Sequence, residues 1–497
     1  MFLRSTRAIR RKIVFIAACG GAVVSMADEG SKAKQAEGIT TPPEALVKEE
    51  RLVQLDGGFD IRSRYEWYDN PPISDGAINR AYYDYYRQRT RAWGSATAGD
   101  YGLYIRMGNE FREYNDYAPA HNYNRFPDQL FVDNLYLDFK NLLYDRVDIR
   151  IGRQDLKYGA GRIICEGTPS DGSRSEYFDA VKVTVRVTEK TSGDFFVTYT
   201  KPVDNFLTVG NADGENYNLT SYDGPVGPGK DDDLTEWGVG TYWTIKEFKE
   251  CPLDLYVVYK NESEWYKRGN SSDTLPGRQY ATIGTRLAPQ FTENFSGEFE
   301  GAYQFGQTGH NDAMGIDGQP INAFLLYGGL TYKTKDTLMK PYLTVGTLFL
   351  SGDDKGSKYN STSSDDAVTG WNPVFARATI IGELPVKMYG SSYHWSNLSW
   401  TYIEPGFEPF KDHKCKLQTG PLFAPMNDNQ EDRNSNLYRG WHTLVKYECI
   451  LLKEVVNKRG TIKTGMQLEH MAYGDYCEQA NAPENGYFAR IEVGVAF

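Results

Sequence analysis

The chain has 497 residues, a formal net charge of −11 at pH 7, 14 % aromatic residues and 49 glycines. Mean hydropathy is −0.56 with 24 % charged residues, and beyond the N-terminal segment no apolar run reaches the ~20 residues of a spanning helix, which excludes a helical membrane protein. Six cysteines without a C-x-x-C pair exclude a zinc site and a disulfide framework, and the acidic balance excludes a nucleic-acid footprint.

Arg4, Arg7, Arg10, Arg11 and Lys12 precede an apolar stretch from Ile13 to Val24, and Ser25-Met26-Ala27 places small residues at a cleavage spacing. Residues 1–27 are expected to be a signal peptide. Ile16-Ala17-Ala18-Cys19 allows a lipoprotein reading, but its apolar core is only about six residues against the ~7–15 expected. Cleavage after Ala27 removes five positive charges and no acid, leaving −16. Residues 28–50, with Pro42 and Pro43, read as a disordered periplasmic linker. Residues 51–497 read as one unit.

From about Leu55 onward the pattern is period-2 alternation, the signature of strands with two different faces. Phe59, Ile61, Tyr65 and Trp67 alternate with Asp60, Arg62, Arg64 and Glu66. Leu103, Ile105 and Met107 alternate with Tyr104, Arg106 and, further on, Glu110. Val181, Val183, Val185 and Val187 alternate with Lys182, Thr184 and Arg186. Tyr487, Ala489, Ile491, Val493, Val495 and Phe497 alternate with Arg490, Glu492 and Gly494, and the terminal Phe497 reads as an assembly signal for the barrel-assembly machinery. Eighteen such segments begin near residues 58, 84, 101, 130, 146, 179, 194, 235, 253, 278, 295, 322, 340, 395, 415, 439, 460 and 486; the alternation is faint at 84, 322 and 395. Short connections (Ala98-Gly99-Asp100, Asn141–Tyr144, Ala288–Asn294) alternate with long ones (113–129, 153–177, 201–234, 352–394). The fold class is therefore all-β, a transmembrane antiparallel barrel of about 18 strands in the outer membrane of a Gram-negative-type bacterium, with short periplasmic turns and long extracellular loops. Trp67, Trp93, Trp237, Trp243 and Trp400 suit interfacial girdles against outer-membrane lipid. Nothing marks a protomer interface, so a monomer is expected.

If the apolar face meets lipid, the other lines a lumen. Its bases are Arg62, Arg64, Arg87, Arg89, Arg91, Arg106, Arg112, Arg150, Lys182, Arg186, Lys260, Arg278, Arg286, Lys416, Lys446, Lys463 and Arg490. Thirteen acids oppose these seventeen bases: Asp60, Glu66, Glu110, Asp138, Asp148, Asp194, Glu236, Asp254, Glu298, Glu300, Glu448, Glu469 and Glu492. Lumen bases select anions, and the guanidinium fork matches a carboxylate through two parallel hydrogen bonds. Arg87, Arg89 and Arg91 form a ladder with rungs ~6.6–6.8 Å apart, on which a polymer with one carboxylate per sugar can step. The alternative for such charges is a structural network or transverse field, as in a general or small-anion porin.

Ile151-Gly152-Arg153-Gln154-Asp155-Leu156-Lys157-Tyr158-Gly159 and the run from Gly167 through Arg174-Ser175-Glu176-Tyr177-Phe178-Asp179-Ala180 resemble the bacterial alginate export family of outer-membrane proteins. The strand pattern is similar over about residues 50–497, the sharp motif over 147–185. The resemblance implies an eighteen-stranded barrel whose electropositive constriction passes a polyuronate by passive diffusion, with Arg153, Arg162, Arg174 and Asp179 near it. Strict alternation would put Arg153 outward with Ile149 and Ile151, so a strand end or bulge is expected there. Residues 354–394 do not resemble the family, and the short periplasmic turns argue against occlusion from that side.

An enzyme would need a nucleophile, base and orienter. No G-x-S-x-G or H-E-x-x-H occurs, and of six histidines only His442 falls on the lumen face. No catalytic residue or cofactor is expected. Asp231, Asp232, Asp233, Asp353 and Asp354 are possible Ca²⁺ ligands in outer loops, as an adhesin would use, or simply solvated acids.

Overall fold

A computed structural model describes residues 53–72, 82–115, 129–166, 177–201, 208–210, 235–263, 265–266, 274–309, 318–353, 367–376, 381–388, 395–426, 437–456, 459–477 and 483–497. Eighteen long strands follow one another: β1 (Gln54–Asp69), β2 (Tyr82–Ala98), β3 (Tyr101–Tyr114), β4 (Gln129–Asn141), β5 (Val147–Gln154), β6 (Phe178–Arg186), β7 (Thr191–Thr200), β8 (Glu236–Ile245) and β9 (Leu253–Glu262). The second half comprises β10 (Arg278–Leu287), β11 (Phe295–Thr308), β12 (Pro320–Lys333), β13 (Tyr342–Leu350), β14 (Leu398–Phe407), β15 (His413–Phe423), β16 (Tyr438–Val456), β17 (Arg459–Tyr473) and β18 (Asn485–Ala496). Every predicted start lies within four residues of an observed one.

Each strand pairs antiparallel with its sequence neighbours, and β1 also pairs with β18, so the sheet closes and leaves no edge facing lipid. Phe497 sits at this seam. Its amide donates to the Phe59 carbonyl at 2.9 Å, and the two rings lie 4.9 Å apart. The outward residues of successive strands are exposed apolar side chains: Ile105, Leu137, Ile151, Val181, Val197, Val239, Val257, Ile283, Leu326, Val345, Ile403, Val445, Leu468 and Ile491. Burying such a belt in acyl chains stabilises the barrel by about 25 cal/mol per Å² of apolar surface. Trp237 stands in this outward belt. Trp93 and Trp400 do not. They fall on the lumen face, Trp93 stacked on Tyr104 and Trp400 on Tyr402, because the strands carrying them place them in phase with Arg91 and Leu398.

Two outer connections fold into the lumen. Residues 155–166 contribute Leu156–Lys157 and Ile164–Glu166, which pair antiparallel, and Phe375–Ala376 of the β13–β14 connection adds to them in parallel. Ile163, Ile164, Trp371, Val374, Phe375, Leu384 and Trp395 are buried there with the wall residues Val258, Ala323, Leu325, Leu348, Leu350, Leu398 and Leu422. The outer half of the lumen on this side is thus an apolar core rather than a wet surface. A short helix, α1 (Glu383–Met388), completes this plug. Thr208–Gly210 lines up beside the outer end of β4, at Phe131 and Leu130, beyond the reach of the shorter β5.

Candidate functional site

The charged side chains of the lumen divide by how they are paired. On β1–β3 the register sets Arg62 opposite Arg89, Arg64 opposite Arg87, and Arg87 opposite Arg112. Directly opposed like charges destabilise a sheet, and here they persist in two successive rows. The acids on the same patch are Asp60, Glu66, Glu110 and Glu492, four carboxylates for the six guanidiniums of Arg62, Arg64, Arg87, Arg89, Arg91 and Arg112. Arg64 Nε meets Glu492 at 2.7 Å, Arg87 Nε meets Glu110 at 2.7 Å, and Arg89 and Arg91 share Asp60 at 3.0 and 2.7 Å. Tyr85 donates to Glu66 at 2.5 Å. The Arg87, Arg91 and Arg112 side chains keep 15, 12 and 28 % of their surface open.

From β3 round to β11 the pairing is close to one-to-one. Arg150 forks onto Asp138 at 2.7 and 3.0 Å, Arg186 onto Asp148 at 2.5 and 2.8 Å, and Lys182 reaches Asp194 at 3.5 Å. Arg286 bridges Asp254 and Glu298 at 3.0 and 3.1 Å. Lys260, fully buried, touches Glu236 at 3.2 Å and Glu262 at 2.9 Å, and donates to the Val374 carbonyl of the plug at 2.6 Å. Arg278 pairs with Glu262. Arg162, carried in by the first inserted loop, donates to Glu298 and Glu300 at 2.5 and 2.8 Å and lies 3.4 Å over the Tyr327 ring.

Alternation did not include Asp133 and Asp155 among the acids that meet the lumen bases. Asp133 is in phase with the outward Leu135 and Leu137. A β-bulge between Asn134 and Val132 turns it inward, where Arg106 Nε donates to it at 2.7 Å while the same guanidinium reaches Asp155 at 3.0 Å.

Two residues expected near the path lie elsewhere. Arg153 and Asp179 occupy register positions on the outward face, at the outer ends of β5 and β6, in line with Tyr199 and Trp237. Their bidentate pair, at 2.9 and 3.0 Å, is roofed by Tyr177, 3.7 Å from the guanidinium carbon. The strand end was the right expectation, and the inward turn was not. Gly152, with φ +124°, makes this geometry possible, because a Cβ there would come within 2.3 Å of the Leu135 carbonyl. Arg174, Asp231, Asp232, Asp233 and Asp354 lie outside the described residues. Asp353 accepts from the Thr369 amide at 2.9 Å, a loop-internal role. Among the described residues no group of three acids, histidines or cysteines is placed to hold a metal.

The plug is latched to β16–β18. Glu469 accepts from the Glu383 and Leu384 amides at 2.8 and 3.0 Å and from His442 Nε2 at 3.0 Å, and Arg490 reaches Glu383 at 3.1 Å. His442 is almost wholly covered, so its place on the lumen face is a packed one. Sequence alternation located both side chains but could not show the loop that covers them.

The family profile described as alginate export matches residues 53–422. No curated protein matches the chain. Solved structures of similar shape include OccK9 (OpdG) of Pseudomonas aeruginosa, 9 % identical, covering 89 % of this chain and 98 % of that one with a TM-score of 0.52. OccK3 (OpdO) of the same organism is 8 % identical with coverages of 89 % and 96 % and a TM-score of 0.51. Acinetobacter baumannii OccAB1 is 10 % identical with the same coverages and a TM-score of 0.51.

Proposed function

Starting from the fact that the chain belongs to the alginate export family and is an outer-membrane channel-type barrel, we propose that it passes an anionic, uronate-type polysaccharide or oligosaccharide by passive diffusion. The observation that carries this reading is the arginine-against-arginine register of β1–β3. A wall that holds six guanidiniums over four carboxylates keeps a positive potential. A guest carboxylate relieves the repulsion and accepts forked hydrogen bonds. Arg87, Arg89 and Arg91 repeat on one strand, so a linear polyuronate can exchange one rung for the next without leaving the wall. The plug meets this wall at its outer end, through Arg490–Glu383 and through Lys387 over the Tyr68 ring at 5.2 Å. Passage therefore requires the plug to yield there.

The test is bilayer conductance of the refolded protein with and without alginate oligomers, with a neutral oligosaccharide as control. Interruption of current by the uronate oligomer alone, at low concentration, is the expected result. The one-to-one ion pairs of the opposite wall favour a second reading, a small-anion porin with a transverse field. That reading gives anion selectivity without polymer block.

A further inference from the structure

At the periplasmic end of the barrel, below the plug, the ends of β12–β16 and the turns between them enclose a recess of about 360 Å³. A space of that size accommodates one or two sugar units, and small-ligand sites begin at about 300 Å³. Its lining carries five lysines, Lys333, Lys340, Lys414, Lys416 and Lys446, against three glutamates, in a chain whose overall charge is −11. Three lysines are neutralised within the recess: Lys340 by Glu408 at 3.1 Å, Lys416 by Glu404 at 2.9 Å and Lys446 by Glu448 at 2.9 Å. Lys333 and Lys414 have no carboxylate within ion-pair distance among the described residues, and Lys416 stands directly opposite Lys446 in the register. Tyr342 lies against Gly406, where a Cβ would come within 2.3 Å of the ring, and its hydroxyl donates to Glu404 at 3.0 Å. The ring is thereby fixed and remains half-exposed in the wall of the recess.

We infer that this recess is a binding subsite for a carboxylated sugar at the periplasmic mouth of the channel. The inference rests on the polyanion reading above. A fixed, half-open ring suits the apolar face of a pyranose, and the ammonium groups of Lys333 and Lys414, the latter facing Glu448 across the strands but beyond ion-pair distance, suit its carboxylate. Lysine is the appropriate base here. Its hydrated point charge attracts an anion without the forked grip of arginine, so a chain captured at this mouth is released toward the arginine rows. Lys333, Lys414, Lys416 and Lys446 stand at lumen-facing strand positions and Lys340 in the β12–β13 turn, a balance that favours a chain inside the barrel over an acidic periplasmic protein docked beneath it.

The experiment uses the full-length barrel inserted in one known orientation. Block by an alginate trisaccharide is recorded with the sugar on the periplasmic or the extracellular side, and hexaglutamate serves as an acidic-peptide probe. In the double variant K333Q/K414Q, on-rates from the periplasmic side should fall about three- to tenfold at low ionic strength, as loss of local steering predicts. Block from the extracellular side should keep its on-rate. Y342A, which leaves every charge in place, should shorten the blocked dwell instead. Unchanged periplasmic on-rates in K333Q/K414Q, an equal loss from both sides, or a loss seen for hexaglutamate but not for the trisaccharide would each overturn the subsite while leaving the channel reading intact. A wild-type barrel that the trisaccharide blocks from neither side would overturn both.

Discussion

Along β1–β3 arginine faces arginine across neighbouring strands and six guanidiniums share four carboxylates, whereas from β5 to β11 the lumen bases Arg150, Lys182, Arg186, Lys260, Arg278 and Arg286 are matched nearly one-to-one by acids. The two regions share strand geometry and a basic lumen face. They differ in stoichiometry. Matched pairs hold two elements together and offer little to a guest, because each base already has its own carboxylate partner. A row with more bases than acids keeps a positive potential and with it an attraction for an anion. Charge counted over the whole lumen cannot separate these two uses, and charge counted row by row can.

The largest effect expected from this contrast is on the matched side. Lys260→Met leaves Glu236 and Glu262 buried without their shared base and removes the donor to Val374. Breaking one side of a buried charge cluster costs about 3–5 kcal/mol. The unfolding midpoint in detergent should drop accordingly and open conductance should rise as the plug loosens. A midpoint near wild type would show that the matched pairs are dispensable. On the unmatched side, R87S/R89S/R91S takes the local balance of six bases and four acids from +2 to −1. Polyuronate block should weaken by about tenfold or more, since charge-assisted hydrogen bonds are worth about 1.5–3 kcal/mol each. Stability should change less than in Lys260→Met. Unaltered block would remove this ladder from the transport path.

A smaller effect is expected at the latch. Glu469→Ala frees the Glu383 and Leu384 amides and His442, weakening the local attachment of α1 by about 1–3 kcal/mol. Closed dwells in single-channel records should shorten while selectivity stays fixed. The smallest effect on conduction belongs to Arg153→Ala at the outer rim, where Asp179 is half-exposed. Stability should fall by about 1–3 kcal/mol, because the Val132 carbonyl and Asp179 lose a buried charged donor, with no change in reversal potential. A selectivity change there would contradict its outward placement.

The strand order was legible in the sequence because lipid and water impose opposite demands on alternate residues. Alternation was faint near 84, 322 and 395 for a physical reason that the structure supplies. Ala323, Leu325, Leu398 and Trp400 face the apolar plug, and Tyr83 and Tyr85 pack on Tyr68 in the same buried cluster, so at the outer ends of those strands the inward face is apolar or aromatic too. The plug itself was not legible. Its residues, such as Val374, Phe375 and Leu384, read as an outer loop, and only their apolar character hints that they do not stay in solvent. The bulge at Asp133 escaped because one extra residue inverts the parity on which the reading depends. The ladder positions were recoverable, but their mutual register across β1, β2 and β3 was not, since pairing depends on turn geometry.

The central claim is that unbalanced guanidiniums, rather than the acidic composition of the chain, set the field inside the barrel. The most direct measurement is the single-channel reversal potential of the refolded protein in a KCl gradient. A potential of the sign given by chloride preference, shifting toward potassium preference in R87S/R89S/R91S, is the predicted result. Potassium preference in the wild-type channel would contradict it.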